Sequence, residues 1–138
     1  MQIQDIMHKD CSYIGADESL QLAATLMDRE DIGVLPVAEN DKLVGMITDR
    51  DIVTRAVAVN KDVRHTKVRE LMSDRVLYCY EDDDIEKVAE NMAEQKVRRL
   101  PVMNRSKELQ GMVTLGDIAA EASGNAAGEA LSQISQAA

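Results

Sequence analysis

Phenylalanine and tryptophan are absent from the 138 residues, and tyrosine occurs only three times. The interior must therefore be filled by Ile, Val, Leu, Met and Ala, and any pocket for a flat ring must be walled mainly by aliphatic side chains. Cysteine is scarce. Cys11 and Cys79 lie far apart, form no CxxC pair and have no histidine cluster beside them. They read as small hydrophobes of a reducing compartment rather than as a disulfide or metal ligands. No run is apolar and long enough to span a bilayer, and the opening Met1-Gln-Ile-Gln-Asp-Ile-Met-His-Lys-Asp lacks the apolar core of a secretory signal. The expected location is the cytoplasm, without membrane attachment. Positive charge is in deficit: 16 Lys and Arg against 25 Asp and Glu leave a formal net charge of −9. Such a field repels nucleic acid and anionic membrane. It does not exclude a small anionic ligand, because a few local cations can outweigh the average inside a concave site.

Apolar residues, at 45% of the chain, suffice for one compact domain or two small units sharing a core. The chain also repeats itself. At a shift of 65 residues Met7 meets Met72, Tyr13 meets Tyr78, Asp17 meets Asp82, Ala24 meets Ala89, Met27 meets Met92, and Leu35-Pro36-Val37 meets Leu100-Pro101-Val102. One extra residue enters the second copy around Ser106-Lys107-Glu108. At a shift of 66, Leu43 then meets Leu109, Gly45-Met46 meets Gly111-Met112, Thr48 meets Thr114, and Asp51-Ile52 meets Asp117-Ile118. A single gap in a polar stretch is what duplication of a folded unit leaves behind.

Each copy reads as β-α-β-β-α. Ser12-Tyr-Ile and Val76-Leu-Tyr-Cys-Tyr are short β-prone runs. Acidic clusters follow (Asp17-Glu18-Ser19 and Glu81-Asp82-Asp83-Asp84) and suit helix N-caps. Helical spacing then puts Leu20, Ala23, Ala24 and Met27 on one face, and Ile85, Val88, Ala89 and Met92 on the other copy's face. Strands are expected at Ile32–Val37 and Val97–Met103. Polar turns follow at 38–42 and 104–108, and then hairpin partners starting at Leu43 and Leu109. Second helices are expected to start near Asp49 and Asp117. Boundaries by repeat are 4–59, a polar linker 60–68, and 69–122. A Gly-, Ala-, Ser- and Gln-rich tail from 123 has one weak apolar stripe at Leu131 and Ile134.

The chemistry gathers where each third strand meets its second helix. Gly45-Met-Ile-Thr48-Asp49-Arg50-Asp51 and Gly111-Met-Val-Thr114-Leu115-Gly116-Asp117 share Gly, two apolar residues, Thr, two variable residues and Asp. A threonine hydroxyl can donate to a phosphate oxygen, and one carboxylate can accept both hydroxyls of a ribose diol. The plainer alternative is a capping box, with Thr as N-cap and Asp as its N3 partner. Arg98, Arg99 and Arg50 are cationic candidates, since the guanidinium fork suits phosphate. Alternation along a strand lets at most one of Arg98 and Arg99 face a given cleft. Solvated positions or ion pairs with the acidic surface would account for the same arginines.

The doubled pattern, Leu-Pro-Val on the second strand and Gly-Met-Ile-Thr-Asp-Arg-Asp-Ile after the third, resembles a tandem cystathionine-beta-synthase-type (CBS) domain pair, or Bateman module. The resemblance covers residues 4–122 and extends to stand-alone bacterial members such as the hypoxic response protein group. It implies a mixed α/β (α+β) fold of two β-α-β-β-α units packed sheet to sheet with pseudo-twofold symmetry. Two clefts would bind AMP, ADP, ATP or S-adenosylmethionine as a regulatory ligand, with accompanying Mg²⁺ left open, and the chain would form a homodimer. Carried over, one cleft would use Thr114, Gly116 and Asp117 with Arg98 and Arg99, and would place the base near Ser12, Ile32, Gly33 and Val34. The other would use Thr48, Arg50 and Asp51, with Leu77, Val97 and Arg98 near the base. Leu115-Gly116 replaces Asp49-Arg50, and Gly33-Val34 replaces Arg98-Arg99, so the two clefts should differ in charge and affinity.

Three functions compete on this reading. The first is a nucleotide sensor that signals to a separate effector protein. The second is a dimerisation scaffold with vestigial clefts, which needs only exposed apolar helix faces such as those around Met27 and Met92. The third, an enzyme, finds no nucleophile–base pair, HExxH or P-loop. His8 and His65 are expected at the surface without a catalytic part.

Overall fold

The computed structural model describes residues 1–121. Residue 122 and the tail expected from 123 on, with Leu131 and Ile134, lie outside the described residues. The first copy contributes β1 (Ile14–Gly15), α1 (Leu20–Glu30), β2 (Val34–Glu39), β3 (Lys42–Thr48) and α2 (Asp49–Arg55), then a short α3 (Val68–Leu71). The second contributes β4 (Cys79–Tyr80), α4 (Ile85–Gln95), β5 (Arg99–Met103), β6 (Leu109–Thr114) and α5 (Leu115–Glu121). A 3-10 turn at Ile3–Asp5 precedes both. The β-α-β-β-α order is present twice, in a mixed fold with two three-stranded sheets of order β1-β2-β3 and β4-β5-β6. In each sheet the outer first strand runs parallel and the hairpin partner antiparallel to the central strand.

The β-prone runs at 12–14 and 76–80 shrink to two residues each, and the central prolines supply a reason. Pairing of β1 begins at Val37 and that of β4 at Val102, one residue beyond Pro36 and Pro101. The Cys79 thiol donates to the Pro101 carbonyl at 4.0 Å, so that residue turns its polar backbone side toward β4. A proline there has no N–H with which to extend the ladder. The inserted residue of the second copy falls in the hairpin loop. The first hairpin turns on Asn40 and Asp41, at φ 51° and 66°, a two-residue loop with both central residues left-handed. The second closes through mutual bonds of Asn104 and Glu108 and places Lys107 at φ 65°, a loop one residue longer.

The helices bury the faces that their spacing predicts, with one exception. Leu20, Ala23 and Met27 are buried, but Ala24 is exposed, while Ile85, Val88, Ala89 and Met92 are all buried. The faces around Met27 and Met92 are therefore core, and the scaffold reading loses the apolar surface it was given. The caps are Ser19, which accepts the Leu22 N–H at 3.1 Å, and Asp84, which accepts the Glu86 N–H at 3.2 Å. Among the described residues Asp17 and Asp82 cap no helix and are held by arginines instead. Asp17 takes Arg69 (3.2 Å), which also pairs with Glu39, and Asp82 takes both ends of the Arg105 fork at 2.8 and 3.1 Å. Arg105 also lies over the Tyr80 ring, 4.0 Å from its centre.

The repeat boundaries 4–59 and 69–122 describe the duplication, and packing divides the chain elsewhere. One unit is Ser12–Val76, and the other joins Met1–Cys11 to the chain from Leu77 on. The stretch 60–68 works as part of the first unit rather than as a spacer. Leu20 and Gln21, at the start of α1, donate their N–H groups to the Thr66 and Val63 carbonyls at 3.0 Å, and Val68 is fully buried beside Leu35 and Ile47. The opening residues serve the second unit in the same way. Ile85 donates to the Met1 carbonyl, Ile3 donates to Asp83, and the Ile3 side chain is fully buried among Val88, Met92, Leu100 and Ile118. Leading helix N–H groups need partners, and here the neighbouring segment supplies carbonyls.

Candidate functional site

β3 runs without a loop into α2, and β6 into α5, so each threonine sits at a strand end while its aspartate lies in the first helical turn. At the first junction Thr48 Oγ1 accepts the Asp51 N–H at 3.0 Å and Asp51 Oδ2 accepts the Thr48 N–H at 3.0 Å. At the second, Thr114 Oγ1 accepts the Asp117 N–H at 3.1 Å and Asp117 Oδ2 accepts the Thr114 N–H at 2.8 Å. The capping box is therefore formed in both units. It leaves each threonine hydroxyl proton and each Oδ1 outside the box. The two Oδ1 atoms then diverge. That of Asp51 has Arg55 Nε at 4.0 Å, and that of Asp117 has His8 Nε2 at 2.9 Å. Both carboxylates are mostly sheltered, with 21% and 18% of their side chains exposed.

Within each unit the strand register gathers further expected residues. Val34 pairs with Thr48, and the Gly33 carbonyl accepts the Asp49 N–H at 2.9 Å. Arg99 pairs with Thr114, and the Arg98 carbonyl accepts the Leu115 N–H at 2.7 Å. Gly33, Val34, Thr48 and Asp51 thus stand together in one unit, as do Arg98, Arg99, Thr114 and Asp117 in the other. Arg98 lies just before β5 rather than in it, and both arginines are exposed. Arg50 is exposed too, and none of the three joins an ion pair among the described residues. Gly116 is exposed on α5, whereas Leu115 turns into the core. Ile32 and Val97 are half-buried, and their N–H groups end the preceding helices on Met27 and Met92 carbonyls at 3.0 Å. Ser12 and Leu77 lie before β1 and β4, outside the paired residues.

The shared glycine has a structural task. The segment around Ser73 bridges to Met46, and the segment at His8 bridges to Met112. A Cβ on Gly45 would meet Met72 Sδ at 2.7 Å and the Ser73 carbonyl oxygen at 2.9 Å, while one on Gly111 would overlap the His8 carbonyl. The glycine of the motif thus admits a crossing backbone. His8 is the residue that sequence reasoning missed: its ring is largely exposed, as expected, yet it holds a site carboxylate. Among the described residues His65 pairs only with its neighbour Asp62, at 2.6 Å. Cys79 stays a protonated thiol, pushed up to about 12 by burial and secondarily by Asp83. No group of three or more His, Cys, Asp or Glu among the described residues could hold a metal ion, and no helix among them is long and apolar enough to cross a membrane.

The CBS domain family model matches residues 3–58 and again 68–124. The chain belongs to the CBS domain family. It is a tandem CBS pair, and such pairs are regulatory modules. It is similar to hypoxic response protein 1 of Mycobacterium tuberculosis, at 38% identity over 117 residues, covering 84% of this chain and 81% of that protein. Among solved structures it resembles Hypoxic Response Protein I with two coordinated zinc ions, with TM-score 0.78 and 36% identity over 88% of this chain and 99% of that one. It also resembles the CBS domain pair of protein MJ0100 in complex with 5′-methylthioadenosine and S-adenosyl-L-methionine, with TM-score 0.73 and 30% identity over 87% and 98% of the two chains.

Proposed function

We propose that this CBS pair is a non-catalytic sensor of an adenosine-containing ligand, acting in the cytoplasm as a homodimer and reporting occupancy to a separate effector protein. The observation that carries the reading is the pair of sheltered carboxylates, Asp51 and Asp117. Each is held by one oxygen in a cap and turns the other away from it. A carboxylate fixed in this way can accept the two adjacent hydroxyls of a ribose, and the neighbouring threonine hydroxyl can donate to a phosphate or another acceptor. Arg98, Arg99 and Arg50, exposed and without ion pairs among the described residues, are free to meet a phosphate. The MJ0100 pair, of like fold, was solved with two adenosyl ligands, which favours the same ligand class here.

A second reading, an assembly module without ligand, draws support from the capping boxes, which account for both Thr–Asp pairs by themselves. Its apolar surface is at Val53, Val57 and Val59, each more than half exposed. Thermal unfolding against a panel of AMP, ADP, ATP, S-adenosylmethionine and 5′-methylthioadenosine separates the two. A ligand present at 100 times its Kd adds about 2.7 kcal/mol of stability, and the double variant Asp51→Asn with Asp117→Asn should remove that gain. The sensor reading fails if no adenosyl compound raises the midpoint, and assembly that light scattering finds unchanged by every ligand would favour the second.

A further inference from the structure

The two units repeat each other at the junction down to single backbone hydrogen bonds. Ser73 and Met46 exchange N–H···O bonds of 2.8 and 2.9 Å, and His8 and Met112 exchange bonds of 2.8 and 3.0 Å. Both crossings pass over a glycine, Gly45 or Gly111. What differs is the side chain delivered. Ser73 makes no hydrogen bond to Asp51 among the described residues. His8 reaches Asp117, with Nε2 to Oδ1 at 2.9 Å. An ionised carboxylate only accepts, so Nε2 carries the proton of this contact. Both oxygens of Asp117 are then engaged, Oδ2 by the Thr114 N–H and Oδ1 by the imidazole. Asp51 Oδ1 takes no hydrogen bond among the described residues and has Arg55 Nε at 4.0 Å.

We propose that His8 is a built-in competitor for the Asp117 carboxylate, so that the Asp51 site takes a ribose-bearing ligand first and the Asp117 site only after the imidazole has swung away. This rests on the reading of Asp51 and Asp117 as ribose-binding carboxylates. The backbone of His8 is pinned by its two bonds to Met112, so release requires only side-chain rotation. The His8 side chain is 65% exposed, which leaves it room to turn. The imidazole contact adds a third cause of inequality between the sites, separate from the exchange of Asp49-Arg50 for Leu115-Gly116 and of Arg98-Arg99 for Gly33-Val34.

The test is a reciprocal swap on the full chain, with 5′-methylthioadenosine as the probe in calorimetric titrations. Wild type should show one tight class of site that Asp51→Asn removes. His8→Ser, which copies the first unit, should add a second class that Asp117→Asn removes. Affinity at that site should rise on the order of tenfold, the worth of one hydrogen bond to a charged group. Ser73→His should weaken the Asp51 site in turn. Two equal sites in wild type, or an Asp117 site indifferent to His8→Ser, would overturn the proposal. A ligand-free readout separates this failure from failure of the ribose reading: the His8 ring nitrogen signals in a ¹H–¹⁵N spectrum should move in Asp117→Asn and stay put in Asp51→Asn. Unmoved signals overturn the proposal whatever binds. Signals that move as expected, without binding of the probe by any variant, overturn the ribose reading and the competition with it.

Discussion

Gly45 and Gly111 occupy equivalent places, yet the space around them differs in kind. Beside Gly45 the nearest obstacle is the end of the Met72 side chain, which can turn aside, followed by the Ser73 carbonyl. Beside Gly111 the obstacle is the His8 backbone itself. Neither glycine has a positive φ, so the demand is for room and not for conformation. Gly111→Ala should therefore destabilise more than Gly45→Ala, toward the upper end of the roughly 1–3 kcal/mol that overpacking costs. Urea denaturation of both variants checks the order, and equal losses would contradict it. At this scale the threonines and aspartates were legible in the sequence because they lie three residues apart and recur in both copies. The role of the glycine and the contact of His8 were not, because each depends on a residue distant in the chain; His8 and Asp117 are 109 positions apart. One signal did exist: the shift that aligns Met7 with Met72 also sets His8 on Ser73, an imidazole against a hydroxyl right after the matched methionine.

The turn that leads into each long helix is clamped by an arginine, but the arginine arrives from a different element each time. Arg69 comes from α3 to Asp17, and Arg105 comes from the β5–β6 loop to Asp82. Arg105 holds the Asp82 carboxyl below its ordinary range, first through their hydrogen bond and then through its charge. A carboxylate lowered in the folded state contributes stability above its unfolded value, near pH 4. That contribution is lost as pH falls through the lowered value. Arg105→Met should therefore be less stable than wild type at pH 6, and the gap should close as pH falls from about 4 toward about 2. Urea midpoints at the two ends measure it, and a gap that stays constant would show that Asp82 is not the linked group. Helix and strand order was legible in the periodicity and in the duplicated Leu-Pro-Val. Strand length was not, because the residues at 12–14 and 76–78 favour extended backbone locally while the pairing is limited by prolines on another strand.

For the molecule as a whole, the repeat in the sequence and the units in space are offset by one segment. Ile3 belongs to the core that contains Val88, Met92, Leu100 and Ile118, although some eighty residues of chain intervene. Ile3→Ala should cost about 2–5 kcal/mol. Amide exchange should report the loss as weakened protection within 77–121, with 12–76 little changed; an even loss across both regions would contradict the division. Alignment of the two copies makes the duplication legible. It cannot reveal the exchange, since Ile3–Met7 and Val68–Met72 match equally well whichever core each one fills. On the ribosome the offset sets an order of events. The unit at 12–76 is continuous, and all of its parts have emerged before any of its neighbour's residues from Leu77 on. Residues 1–11 leave the tunnel before that unit and wait through the whole of it, since their partners begin only at Glu81 and Asp83. Domains that emerge first generally fold first, but here residues 1–11 find their place only after chain from Leu77 on has followed.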